Sequence, residues 1–169
     1  MQQNVTGEMR SAAFTMVADD RTRLLLLGSL PGQASLAAGR YYAHPRNQFW
    51  RLLSPVVGAD LMAMEYQARL ATLLGAGIGL WDVVESARRR GSLDADLREV
   101  EARDLRGAAA RLPALRAMGF NGAKAFAIGR GQLGDDFPVP LIALPSSSPA
   151  HAVGIEAKQP AWAALGQWL

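Results

Sequence analysis

The stretch TRLLLLGS, residues 22–29, limits the fold more than any other part of the chain. Four consecutive leucines leave no polar face, so a strand built from them has to be covered on both sides. The run closes at Gly28 and falls far short of the roughly 18 apolar residues of a membrane span. Three further runs read as strands: AGIGLWDVV (76–84), AKAFAIG (123–129) and VPLIALPS (139–146). Between and around them the pattern predicts helices over Gln48–Val57, Tyr66–Leu74, Asp94–Arg116 (broken near Gly107 and Pro113) and Pro160–Leu169. Strand–helix alternation of this kind predicts an α/β fold: a three-layer α/β/α sandwich around a central, mainly parallel four-stranded sheet. No repeat or linker divides the chain, and residues 1–169 suit a single domain.

Composition removes several chemistries. The chain has no cysteine, which excludes disulfides, thiol nucleophiles and cysteine-held metal centres. With only two histidines besides, no metal site and no cofactor is expected. The N-terminal MQQNVTGEMRSAAF has no basic segment followed by an apolar one, so a cytoplasmic protein is expected. Net charge is only +3, yet no acidic residue falls between Asp20 and Asp60, where Arg21, Arg23, Arg40, Arg46 and Arg51 all lie. Sixteen of the eighteen basic residues are arginine, whose planar fork suits phosphate. An arginine-rich genome would give the same count on an ordinary solvated surface.

In open α/β sheets, ligands sit beyond the carboxyl ends of the strands. Here those ends are GSLPGQASL, WDVVES, IGRGQ and LPSSSPAHA. Gly28 and Gly32 allow a close backbone approach around the stiff Pro31. In the last loop Pro145 and Pro149 brace Ser146, Ser147 and Ser148, whose hydroxyls suit a phosphate backbone. Both loops could equally be ordinary turns. The densest feature is YYAHPRNQFW, residues 41–50, which holds four of the chain's twelve aromatics.

In this order and spacing, GSLPG, YYAHPRNQFW and LPSSSPAHA resemble the motifs of the uracil-DNA glycosylase superfamily. The mismatch-specific branch has a Gly-x-Asn-Pro-Gly loop followed by Phe-Ala-His-Pro-x-Asn-x-Phe-Trp, and the serine loop is similar to that of thymine-DNA glycosylases. Gly-Ser-x-Pro, with LWDVV (80–84) and RGSLDADL (90–97), brings the chain nearer to the hypoxanthine-DNA (deoxyinosine) glycosylases. The resemblance runs from about Ala18 to the C-terminus.

The resemblance implies a base-excision repair enzyme that extrudes a deaminated base from double-stranded DNA and hydrolyses its N-glycosidic bond, acting as a monomer at the nucleoid. Hypoxanthine is the first expected substrate and uracil opposite guanine the second. Where the mismatch-specific enzymes place a water-positioning asparagine, this chain has Leu30, which neither donates nor accepts a hydrogen bond. The catalytic role then falls to Asn47, whose carboxamide could orient a water or bind a base edge, or could cap the helix that begins QFWRLL. Gly28, Ser29, Leu30, Tyr42 and Asp82 are the expected base pocket, with Tyr42 stacking on the base and Asp82 facing the sugar cation or bonded to loop amides. Tyr41 would line the entrance, and Phe49 and Trp50 would anchor the motif in the core. His44 would hold the loop by a backbone hydrogen bond or act as a base. Arg46, Ser146, Ser147, Ser148 and His151 are the expected DNA contacts, His151 also being the candidate wedge beside the small Ala150. No lysine falls within the motifs, Lys124 and Lys158 being the only two, so no Schiff-base step is expected. Readings of other classes are a non-enzymatic damaged-DNA or nucleotide-binding module, and a serine hydrolase, for which the Gly-x-Ser-x-Gly elbow is missing.

Overall fold

The computed structural model describes residues 9–12, 14–89 and 98–169, with side chains for 14–86 and 101–169. The N-terminal segment read for a leader lies largely outside these residues, and the RGSLDADL motif falls wholly outside them.

The elements run β1 (Met9–Ala12), β2 (Leu24–Gly28), α1 (Gln33–Ala38), α2 (Phe49–Val57), α3 (Tyr66–Gly75), β3 (Ile78–Asp82), β4 (Val84–Arg89) and β5 (Arg98–Ala102). They continue with α4 (Leu105–Ala110), β6 (Ala117–Asn121), α5 (Ala123–Leu133), β7 (Leu141–Leu144) and α6 (Ile155–Ala163), with short 3-10 turns at Leu61–Ala63 and Ala164–Trp168. The central sheet has the order β3-β2-β6-β7 and every pairing in it is parallel. The leucine run fills β2, and its pleat divides the leucines between two cores. Leu24 and Leu26 face Phe49, Leu52, Leu53, Leu73 and Trp162 of α2, α3 and α6. Leu25 and Leu27 face Leu105, Ala108, Ala125 and Leu133 of α4 and α5. All four are at most 1% exposed, and each contributes roughly 1.5–3 kcal/mol by leaving water. The result is a three-layer α/β/α sandwich.

Three expectations change. AKAFAIG is not a strand but the start of α5, and the third strand of the central sheet is the preceding AMGFN. Ala125 and Gly129 lie one helical turn apart and are buried against β6, so their small size serves close helix–sheet contact. The strand end near the site is therefore Asn121–Gly122, and IGRGQ lies in the second half of α5. The helix expected over Asp94–Arg116 is reduced to α4, its Asp104 Oδ1 accepting from the Gly107 amide. Arg98–Ala102 instead pairs as β5 with β4, in an antiparallel sheet ordered β1-β4-β5. The alternating charges of REVEA fit a solvated ribbon, not an amphipathic helix. Finally, the last helix begins at Ile155, so Pro160 lies inside it rather than at its head.

Two glycines of α5 give a test of this packing. A Cβ on Gly129 would press into the Phe120 ring, whereas one on Gly131 would meet nothing within 4 Å. Gly129→Ala is expected to lose about 1–3 kcal/mol through overpacking. Gly131→Ala is expected to gain up to about 1 kcal/mol from helix propensity. Urea melts of the two variants read both values.

Candidate active site

The carboxyl ends of β2, β3, β6 and β7 open onto one cavity of about 410 Å³. Its size falls in the range of ordinary ligand pockets, about 300–1,000 Å³. Gly28, Ser29, Leu30, Tyr42, Asn47, Asp82, Ser146, Ser147, Ser148 and His151 all line it, together with His44 and Asn121. Of the residues expected in the base pocket, in catalysis or on DNA, only Arg46 stays off this wall; it is exposed on the same loop.

The floor is built by strand register. Gly28 pairs with Asp82 across β2 and β3. A Cβ on Gly28 would stand 2.9 Å from Asp82 Oδ1 and 3.0 Å from the Tyr42 hydroxyl, so the missing side chain lets both groups close over the strand end. Asp82 is 3% exposed and is the one carboxylate of the lining. Leu30 is 6% exposed and belongs to the core on the α4–α5 side, which makes this part of the floor apolar.

The aromatic segment forms one wall. Tyr42 has a left-handed backbone (φ 52°), the only non-glycine residue among those described that does. That geometry is rare and strained for a bulky side chain. Its ring stacks on Phe49 at 3.8 Å and 15°, and Phe49 meets Trp50 and Trp162 edge-on. Phe49 and Trp50 are core residues, at 0% and 2% exposure. Tyr41 does not stand at an entrance. It is 3% exposed, edge-on to Phe14, and its hydroxyl donates to the Thr15 carbonyl. Burial, with the Asp82 charge adding to it, pushes the Tyr41 hydroxyl far above its ordinary pKa, so it remains neutral.

The polar atoms of this wall are set by the backbone. His44 Nδ1 accepts from the Arg46 amide at 3.1 Å, which puts the proton of a neutral imidazole on Nε2. Asn47 Oδ1 accepts from the Phe49 amide at 3.0 Å and so caps the first turn of α2. An amide N–H requires oxygen opposite it, which fixes the carboxamide's orientation. With the oxygen so engaged, the NH2 group is the end of Asn47 that can donate.

The serine loop faces this wall, and its three hydroxyls differ. Ser147 is 1% exposed; its Oγ accepts from Asn121 Nδ2 at 2.8 Å and its amide donates to Asn121 Oδ1 at 2.9 Å. Its hydroxyl is thus turned into the protein, which removes it from the expected phosphate contacts. Ser146 and Ser148 are half-buried and accept from the Ser148 and Ala150 amides, while His151 is exposed at the rim. Sequence reasoning missed two residues here. Asn121 was overlooked because its strand was assigned to the following helix; the polar residue closing AMGFN was the available signal. Lys158, outside the motifs but only seven residues beyond His151, donates from Nζ to the His151 carbonyl at 3.0 Å. Lys158 is 1% exposed, and desolvation holds its pKa below the usual lysine value. The five arginines of the acid-free segment also part company. Arg23 binds the Ala76 carbonyl at the opposite end of the sheet, whereas Arg40 directly precedes the aromatic segment and Arg46 lies within it. Among the described residues no group of three or more His, Cys, Asp or Glu could hold a metal, and no helix is long and apolar enough to cross a membrane.

Comparison with known proteins accounts for this arrangement. A hypoxanthine DNA glycosylase of Methanosarcina barkeri (strain Fusaro / DSM 804) is 40% identical over 116 residues, 69% of this chain and 73% of that protein. One of the same name from Methanosarcina acetivorans is 41% identical over 117 residues, 69% of this chain and 74% of that protein. The solution structure of a Methanosarcina acetivorans protein, provisionally named uracil DNA glycosylase, superposes with a TM-score of 0.84 at 36% identity, over 94% of this chain and 98% of that one. Residues 15–166 match the Uracil DNA glycosylase superfamily as a whole. The chain belongs to that superfamily and is a DNA glycosylase.

Proposed function

We propose that this glycosylase removes deaminated bases from DNA, hypoxanthine first among them, by a monofunctional and metal-independent hydrolysis. One observation carries the reading: Asn47 Oδ1 is held by the Phe49 amide, so Asn47 offers the cavity a hydrogen-bond donor. Deamination replaces an exocyclic amine, a donor, with a carbonyl, an acceptor. A fixed N–H therefore matches hypoxanthine and faces the like-signed amine of adenine. Sites built around a hydrogen bond reject partners that cannot make it, because the buried group is then left unpaired. The relatives named for hypoxanthine support the same choice.

The extruded base lies against Tyr42, whose other face is backed by Phe49. As the bond from C1′ to the base breaks, the sugar becomes cationic and the base takes up negative charge. The Asn47 N–H strengthens its bond to the base as that charge develops. Asp82, the one carboxylate of the lining, balances the cation; water adds to C1′, and the proton it loses passes through solvent to the departed base anion. Leu30 offers this water no polar partner, so leaving-group stabilisation carries the rate. Ser146, Ser148, Arg46 and His151 contact the DNA around the cavity mouth.

On duplexes carrying inosine, uracil opposite guanine, xanthine, adenine or a G·T mismatch, cleavage at inosine is expected to be fastest and adenine to remain intact. Faster release of uracil than of hypoxanthine would make the uracil reading the better one.

Asn47→Ala is expected to lower single-turnover cleavage about 10²–10³-fold. Asn47→Asp keeps an oxygen for the Phe49 amide but presents an acceptor, so it should fold normally and be equally slow. Tyr42→Ala should weaken binding and cleavage together, by roughly 1–3 kcal/mol. A helix cap alone is worth about 1 kcal/mol of stability. A folded Asn47 variant with near wild-type cleavage would therefore overturn the assignment.

Cleavage is expected to proceed at full rate in EDTA. Loss of activity restored by a divalent ion would refute metal independence.

A further inference from the structure

The segment 41–47 has two sides, and the base pocket uses one. On the other runs a groove of about 630 Å³, lined besides the segment by Arg40, Met62, Glu65, Tyr66 and Arg69. Tyr41, Tyr42, His44 and Asn47 line both spaces, so a single thickness of chain separates them. Its crest is formed by the exposed Pro45 and Arg46.

The groove is cationic and aromatic. The exposed Arg40 guanidinium lies 5.5 Å from the centre of the Tyr66 ring. Arg69 lies over Trp50 at 5.3 Å and is pinned by bonds from Nε and Nη2 to the Met64 and Met62 carbonyls. Glu65 is the one carboxylate of the lining, so the two guanidiniums outweigh it. Met62, 43% exposed, supplies an apolar surface between these charges.

We infer that this groove carries the sugar–phosphate backbone of the strand whose base enters the pocket, with Arg40 paired to a phosphate flanking the extruded nucleotide. The inference rests on the proposed base-extruding function. An extruded nucleotide remains bonded to its neighbours, so the backbone has to cross the wall where the base does. Beyond that crest lies this groove, with guanidinium planes backed by aromatic rings, a surface suited to phosphodiester and deoxyribose. The serine loop stands on the opposite rim of the pocket, so the strand is gripped on both sides of the lesion.

The test uses full-length protein and inosine duplexes in which single phosphates flanking the lesion are replaced by neutral methylphosphonate. Arg40→Ala should weaken duplex binding several-fold, flatten the log–log salt dependence by about one unit, and leave single-turnover cleavage at saturating enzyme unchanged. At one flanking position, methylphosphonate should weaken wild type but have no further effect on Arg40→Ala. Unchanged affinity and salt slope in a folded Arg40→Ala protein, or losses that add at every position, would overturn the inference. A wild type that cleaves no deaminated base would refute the proposed function instead, because the phosphate pairing is read from binding alone.

Discussion

Ser147 has all three of its main polar groups engaged within the protein. Its amide and hydroxyl are held by Asn121 at the end of β6, and its carbonyl accepts from the Gln48 amide at 2.9 Å. These bonds join a strand end, the serine loop and the residue after Asn47. A buried polar group left without a partner costs about 1–3 kcal/mol, so Asn121 and Ser147 hold each other in one arrangement. The distance across the cavity mouth, from the asparagine wall to the serine wall, depends on this junction more than on any surface contact. Lys158 fixes the far end of the same loop through the His151 carbonyl.

The aromatic wall is held by other means. Tyr42 adopts a backbone conformation that a bulky side chain avoids, and it is kept there from three directions. Phe49 stacks under its ring, Gly28 leaves room for its hydroxyl, and Ser35 Oγ accepts from the amide of Ala43 next to it. The strain is local, and the packing that opposes it belongs to the core of α2 and α6. A site on an irregular loop thereby acquires the stiffness of the sandwich beneath it.

Much of this was legible in the sequence, for reasons that differ by element. The leucine run could be placed because a strand with no polar face has one home, the middle of a covered sheet. The motif at 41–50 stood out because aromatics, proline and asparagine at that density satisfy no periodic pattern. AMGFN was missed because five residues, one of them glycine, carry a weak strand signal beside the longer apolar run that follows. The β1-β4-β5 sheet was missed because two of its three strands are charged and its pairing is non-local. At the site, residue types marked the candidates but not their orientation. Three adjacent serines look alike in the sequence, yet one faces inward and bonds Asn121. The pairing of Lys158 with His151 spans a turn whose path no local pattern dictates.

Leu30 has a consequence for how such a pocket can discriminate. A polar group at that position would help any bound base depart by preparing the nucleophile, whatever the base's own chemistry. With leucine there, the side chain at that point of the lining has no hydrogen-bonding group for a solvent molecule, and under the proposed mechanism the barrier would be governed by how well the departing heterocycle bears charge. Across a series of bases the logarithm of the rate should then follow the acidity of the released N–H, with a steep Brønsted slope. Among the bases whose carbonyl edge the Asn47 donor admits, ranking would be made by the electronics of the damaged base itself, those that already leave most readily being released fastest.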